Sequence, residues 1–268
     1  MTASIVAILI IAFLAGVEGV VDEWEFHQPI IACTLVGLAV GHPLSGIALG
    51  ASLQLVTLGW MNIGAAVAPD PALAAVVAAW WVSGPAQLPV AAGVIIALPL
   101  AWVGMGLTRL LRHLIVPVVA RADTAAAAGD LARITRIHLL SATLQGLRVM
   151  LPTAILLVIP TDWLQAAYRH IPATIQGSFH VAAGMLVVVS FAIVINMMAT
   201  RQLWPFFFLG FALATDQHLS LIALGMIGIT LAIIYLYVRP TNGPKQGGGG
   251  STADSSTEDE LDRELDDL

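Results

Sequence analysis

Residues Gln54 to Asp70 read QLVTLGWMNIGAAVAPD. Gln54, Asn62 and Asp70 punctuate an otherwise apolar segment, and Gly59, Gly64 and Pro69 interrupt any regular helix near them. The sequence is apolar again on either side, but only briefly, from Leu44 to Leu58 before the break and from Ala72 to Val82 after it. Each piece falls short of the roughly 20 residues that a helix needs to cross hydrocarbon.

Further out the same alternation continues on a larger scale. Full-length candidate spans are Ser4 to Val21, Pro89 to Leu107, Ile137 to Ile159, His180 to Met198 and Leu219 to Val238, and two more short pieces cover Ile30 to Val40 and Leu203 to Ala214. Of the 268 residues 58% are apolar and 10% charged, where a soluble domain carries about 25% charged residues. The expected fold is therefore an all-α polytopic membrane protein, with multiple transmembrane helices and short broken or re-entrant segments. Two readings of the short pieces remain open. They are discontinuous helices lining a cavity, where unpaired backbone is tolerable, or short tilted helices inside a crowded bundle. The first apolar segment lacks a basic n-region and an evident cleavage site, so it reads as a retained span.

The formal charge of −6 is local. Residues 254 to 268 hold eight acidic side chains against Arg263, which leaves the rest of the chain with ten basic and nine acidic residues. Gly247 to Gly250 and the Ser and Thr residues after them read as a linker, so residues 241–268 are expected to form a flexible acidic tail. Cys33 is the only cysteine, which excludes an intramolecular disulfide and a CxxC pair.

Arginine placement argues orientation. Arg109, Arg112, Arg121, Arg133 and Arg136 crowd residues 108–136, expected as a basic cytoplasmic loop, and Arg239 and Lys245 place the C-terminus on the same side. An even number of crossings must separate the two, so the Leu203 to Ala214 piece is expected to cross. Leu107, Leu110, Leu111 and Leu114 predict an interfacial helix within the loop, and Ala125 to Gly129 a plain connection.

Two polar clusters can carry chemistry. Asp22 to Pro29, DEWEFHQP, reads either as a solvated loop anchored by Trp24 or as a turn that aims Glu25, His27 or Gln28 inward. In the Gln54 to Asp70 stretch, an amide inside a membrane segment is costly unless it is paired, which makes Gln54 and Asn62 candidates for a ligand site. Each amide both donates and accepts, as sugar hydroxyls do, and Trp60 offers a flat apolar face to a sugar ring. The competing reading has Gln54 and Asn62 bridging helices and Trp60 at an interface. His138, Gln145, Arg148, Asn196 and Glu18 are further polar residues within spans for which the sequence names no partner. No GxxxxGK loop, HExxH or GxSxG occurs, and no row of arginines suits a voltage sensor.

The runs DEWEFHQPIIACTLVGLAVG (Asp22 to Gly41) and LGWMNIGAAVAPDPALA (Leu58 to Ala74), with LQGLRVMLP (Leu144 to Pro152), AAGMLVVVSFAIVINMM (Ala182 to Met198) and PFFFLGF (Pro205 to Phe211), resemble the IIC subunit of the bacterial mannose, fructose and sorbose type of sugar phosphotransferase system. The resemblance runs from about Ser4 to Val238, within a permease domain of residues 1–240. It implies a bacterial cell-membrane subunit that moves a hexose inward without being an enzyme itself and without a cofactor or metal. It implies a IID membrane subunit as partner, in an assembly with several IIC and IID copies. Phosphate would come from a cytoplasmic IIB protein charged through IIA; no nucleic acid is involved. Substrate-binding residues are then expected among Gln54, Asn62, Asp70, His27, Gln28 and Trp60. Where the family often carries an acidic residue in a TLE-type segment before the LGWMN run, this chain has Gln54, which bears on sugar preference. An ion-coupled sugar carrier and a membrane receptor or scaffold are the competing functional readings.

Overall fold

A computed structural model describes residues 2–21, 24–60, 66–216 and 218–238. Among the described residues it contains ten α-helices, grouped in two compact units, Met1–Ala199 and Thr200–Leu268. The first unit holds α1 (Thr2–Val21), α2 (Pro29–Val40), α3 (Pro43–Thr57), α4 (Pro71–Ser83), α5 (Val90–Ala127), α6 (Leu131–Leu157), α7 (Thr161–His170) and α8 (Ala173–Met198). The second holds α9 (Trp204–Ala214) and α10 (Leu221–Val238). Helices α1, α5, α6, α8 and α10 are long and apolar enough to cross a bilayer.

The short helices begin where the sequence places proline at the first helical position, Pro29, Pro43 and Pro71, where the missing N–H costs nothing. At 12, 15 and 13 residues, α2, α3 and α4 are about 18–23 Å long at 1.5 Å per residue, against a hydrocarbon thickness of about 30 Å. α2 ends at Gly41, whose φ of 85° closes the helix in the left-handed conformation and turns the chain straight into α3. The two helices then pack backbone to backbone. A Cβ on Gly46 would lie 2.4 Å from the Cys33 carbonyl oxygen, and one on Gly50 2.9 Å from that of Pro29.

Helix α4 is the centre of the first unit. Every residue from Ala72 to Ser83 is buried, enclosed by α2, α3 and α5 with α1 and α6 alongside. Its alanines and valines let five neighbours approach at once, the small-residue solution expected where lipid removes the hydrophobic drive between helices. Outside this core, α1 crosses α6 at Gly16 and Gly146: a Cβ on Gly16 would lie 2.7 Å from the Gln145 carbonyl oxygen, and one on Gly146 2.4 Å from the Phe13 ring. Gly19 faces the Arg148 guanidinium.

Three local expectations are corrected. Residues 108–136, expected as a basic loop with an interfacial helix over 107–114, are mostly helical, and the 107–114 stretch is part of a longer helix. α5 runs unbroken for 38 residues through Pro117 to Ala127, carried by its alanine-rich end. The plain connection expected over 125–129 shrinks to a tight turn at Gly129, after which the Asp130 carboxylate caps α6 by accepting the Arg133 N–H at 2.9 Å. α6 therefore begins at Leu131, six residues ahead of the expected span. The segment between α6 and α8 also contains α7, TDWLQAAYRH, with Asp162 in its first turn and Arg169 and His170 in its last, where each charge suits the helix dipole. Gln165 of α7 donates to the Ala86 carbonyl at 3.0 Å, tying this helix to the α4–α5 connection.

In the second unit the Phe206 ring meets Tyr235 edge-on at 5.4 Å, and Trp204 packs on Phe207 at 5.5 Å. An apolar groove of about 520 Å³ lies between α9 and α10, lined by Leu203, Phe206, Leu213, Leu224, Leu231 and Tyr235 among others.

The α2–α3 crossing has no room for a side chain. Gly46→Val should therefore lower the thermal stability of the detergent-purified protein by several degrees and reduce its yield from membranes. Gly106→Ala, with nothing within 4 Å of the added Cβ, should leave both unchanged in the same fluorescence-detected melting assay.

Candidate functional site

The first turn of α2 leaves backbone N–H groups without intrahelical partners, and Gln28 at its N-cap makes no side-chain capping bond. The partner comes from the neighbouring helix. Gln54, in the penultimate turn of α3, accepts the Ile30 N–H through Oε1 at 3.2 Å and donates from Nε2 to the Gln28 Oε1 at 2.8 Å. The Gln28 Nε2 lies 3.5 Å from the His27 Nε2, which in turn lies 3.9 Å from the Glu25 carboxylate. Gln54, Gln28 and His27 thus form one chain of polar contacts at the entrance to the broken helix pair.

A carboxamide has two donor hydrogens and two acceptor lone pairs. The bonds that hold Gln54 in place use one donor and one acceptor, and its Oε1 and Nε2 each retain capacity for a second bond. Such a pair of amides can both donate to and accept from the same hydroxyl-bearing ligand while remaining uncharged.

The loop that carries Gln28 is fixed from α1. Glu18 is buried, and its Oε1 accepts the backbone N–H of Trp24 and, at 3.0 Å, that of Glu25. Glu25 has a φ of 58°, a conformation rare for a non-glycine residue and one the Glu18 carboxylate helps to hold. Trp24 remains exposed and stacks on Phe26 at 6.1 Å, as an interfacial anchor would.

The second break follows α3. Gly59 adopts a φ of 86°, and the Ser190 hydroxyl of α8 donates to the Val56 carbonyl at 2.6 Å, satisfying a last-turn acceptor of α3. Trp60 follows at once, half-buried against the core, its N–H bonded to the Thr57 carbonyl at 2.9 Å. At the far end Asp70 caps α4. Its Oδ1 accepts the Ala72 N–H at 3.0 Å, its own N–H donates to the Ala101 carbonyl at 3.0 Å, and its Oδ2 pairs with the Arg148 guanidinium of α6. Arg148 Nη1 also donates to Thr108 Oγ1 at 2.8 Å, and its Nε to Gln145 Oε1 at 3.2 Å.

Of the residues expected from sequence to bind substrate, the structure brings Gln54, Gln28 and His27 together. Trp60 stands at the start of the second break. Asp70 stands at its end, engaged with Ala72 and Arg148. Asn62, like Asp22, Glu23 and the tail over residues 241–268, lies outside the described residues. Glu18, Ser190 and Arg148 emerge as organising residues to which the sequence assigned no partner. Their contacts lie 6 to 134 positions away along the chain, and no spacing rule reaches the longer of these.

Long apolar helices around short interrupted ones, with interlocked amides at an interruption, define a polytopic membrane protein. Over residues 2–234 the chain matches the family described as the PTS system sorbose-specific IIC component, and it belongs to that family. It is 41% identical over 266 residues to the PTS system mannose-specific EIIC component of Escherichia coli, covering 99% of this chain and 98% of that one. It is 40% identical over 252 residues to the fructose permease IIC component of Bacillus subtilis, covering 94% and 92%. A solved structure of the mannose transporter ManYZ in complex with microcin E492 contains a chain 42% identical to this one, with a TM-score of 0.58 and coverage of 90% and 98%. The protein is a sugar-transport subunit of a phosphotransferase system and the permease component of it, which sets aside the ion-coupled carrier.

Replacing Glu18 by Ala should free the Trp24 and Glu25 amides, raising their hydrogen–deuterium exchange about tenfold for roughly 1.4 kcal/mol of lost protection. Glu18→Gln, which keeps the acceptor oxygen, should fall between the two.

Proposed function

We propose that the Gln54, Gln28 and His27 cluster is part of the hexose site, with Trp60 as a stacking face and Asn62 as a further hydrogen-bonding partner. The observation that carries this reading is the double engagement of Gln54. Its amide is pinned by Ile30 and Gln28, so its remaining donor and acceptor point in fixed directions, the preorganisation that a polar ligand requires. A hexose supplies several hydroxyls that each donate and accept, and a ring face for an aromatic side chain. The relatives are named for mannose and fructose and the family for sorbose, all neutral sugars of one size.

Sugar enters the site as the free hexose and leaves as its phosphate. The phosphoryl group comes from a cytoplasmic IIB protein, and a IID membrane subunit completes the pathway, in line with the two-component name of the structural neighbour. The α5–α6 turn, flanked by Arg109, Arg112, Arg121, Arg133 and Arg136, faces the cytoplasm by its charge. α6 then runs outward. The C-terminus lies on the cytoplasmic side by the same excess of basic residues.

Gln54→Leu should raise the apparent KM for radiolabelled mannose by at least about tenfold in vesicles that contain the partner subunits and phosphoenolpyruvate. Gln54→Glu keeps the acceptor for Ile30 and should lose less. An unchanged KM in Gln54→Leu would remove this cluster from the sugar site. The purified chain mixed with mannose and phosphoenolpyruvate alone should form no sugar phosphate, and product in that mixture would overturn the division of labour.

A further inference from the structure

Glu18 is the one ionisable residue of α1, and it is buried, 6% exposed, near the end of a candidate span. A carboxylate so placed is costly unless donors meet it. Here the donors are backbone groups. Glu18 Oε1 accepts the N–H of Trp24 and, at 3.0 Å, that of Glu25. Two successive amides turned to one oxygen make an anion-holding nest, and a carboxylate from six and seven residues upstream fills it.

What the nest holds is the approach to Gln28. Glu25, with its φ of 58°, is one of two non-glycine residues at positive φ among the described residues. A glutamate adopts that conformation at a cost and keeps it where contacts enforce it. From there the Glu25 carbonyl accepts the Gln28 N–H at 3.0 Å, and the Gln28 carbonyl accepts the N–H groups of Ile31 and Ala32 as α2 begins. The Gln28 side chain then meets that of Gln54 at 2.8 Å. On the other side the support is rigid. A Cβ on Gly16, two residues before Glu18, would lie 2.7 Å from the Gln145 carbonyl oxygen of α6, so the end of α1 that carries the carboxylate is packed against backbone. Position passes from α6 through Glu18 to the Gln28 carboxamide along one line of contacts.

We infer that Glu18 is a positioning residue for sugar binding: by accepting the Trp24 and Glu25 amides it holds Glu25 in its left-handed conformation and so aims the Gln28 carboxamide at Gln54, without meeting the sugar itself. This rests on the reading of the Gln54, Gln28 and His27 cluster as part of the hexose site. A binding group must be held close to its productive geometry by supports that are themselves fixed, and a small displacement costs affinity steeply. An oxygen shared by two backbone donors is such a support.

The test reads the KM and Vmax of radiolabelled mannose uptake in vesicles that hold the full chain, its partner subunits and phosphoenolpyruvate, with Vmax scaled to the amount of inserted chain. Glu18→Ala should raise KM about five- to tenfold, with Vmax changed by less than about twofold. Glu18→Gln, which keeps an acceptor oxygen, should raise KM by less. Glu25→Gly supplies the discriminating background, because glycine takes a positive φ at no steric cost. There the further change Glu18→Ala should raise KM by no more than about twofold over Glu25→Gly itself. An unchanged KM in Glu18→Ala would overturn the inference. Equal losses from Glu18→Ala in both backgrounds would overturn it too, since Glu18 would then act on the sugar by a route other than the Glu25 backbone. So would a fall in inserted protein at constant KM, the mark of a folding role. Gln54→Leu measured in parallel keeps this inference apart from the site it rests on. A raised KM there beside a wild-type KM in Glu18→Ala leaves the site standing without Glu18, whereas a raised KM in Glu18→Ala beside an unchanged one in Gln54→Leu sinks both.

Discussion

A helix that stops inside a membrane leaves four N–H and four C=O groups without partners, in surroundings where water cannot supply them. This chain stops three helices in succession, and side chains of other elements reach two of the exposed ends. Gln54 of α3 closes the start of α2, Ser190 of α8 closes the end of α3, and Asp70 closes the start of α4 while pairing with α6. Glu18 of α1 does the same for the loop ahead of α2. Where an end is satisfied from another element, the requirement for backbone hydrogen bonds becomes a requirement for tertiary contact. The broken segments and the helices around them are thereby made one cooperative unit.

That requirement explains the unusual composition of the interior. Side chains can reach helix ends in neighbouring elements only if the helices lie close together, and closeness here comes from removing side chains. α2 and α3 meet through Gly37, Gly46 and Gly50, α1 and α6 through Gly16 and Gly146, and α5 makes way for Asp70 at Gly104. α4, buried along nearly its whole length, is built almost entirely from alanine and valine before its two tryptophans. Packing of this kind gains dispersion energy without any hydrophobic drive, as helix association in lipid demands.

Much of this was legible in the sequence because hydropathy and proline carry it. All nine apolar segments read from the sequence correspond to helices, and the starts at Pro29, Pro43 and Pro71 follow from the ring's fixed φ. What failed to show was of two kinds. The extension of α5 to Ala127 and the helix at Thr161–His170 lie in polar or mixed stretches, where a hydropathy reading sees only the end of a span. The partners of Glu18, Ser190 and Arg148 depend on how helices distant in sequence are arranged. A single sequence contains the carboxylate and the guanidinium, but nothing in it says that Asp70 and Arg148, 78 positions apart, will meet. The gathering of Gln54 with Gln28 was within reach for another reason: both flank a pair of short helices joined by a tight turn, so hairpin geometry alone returns them to the same end.

The separation of neutral from charged groups bears on the direction of transport. Gln54 and Gln28, in the proposed site, are uncharged, and the ionisable groups next to them are His27 and the Glu25 carboxylate. The Arg148 guanidinium is committed to Asp70 and so offers no free cation to an anion in the site. Such a pair of amides can exchange the water around a neutral hexose for amide hydrogen bonds at little net cost. A sugar phosphate carries about 1.5 to 2 negative charges at neutral pH, and stripping water from that group without a cationic partner costs several kcal/mol. If the Gln54 cluster is the hexose site, as proposed, phosphorylation weakens the sugar's hold on the site that admitted it.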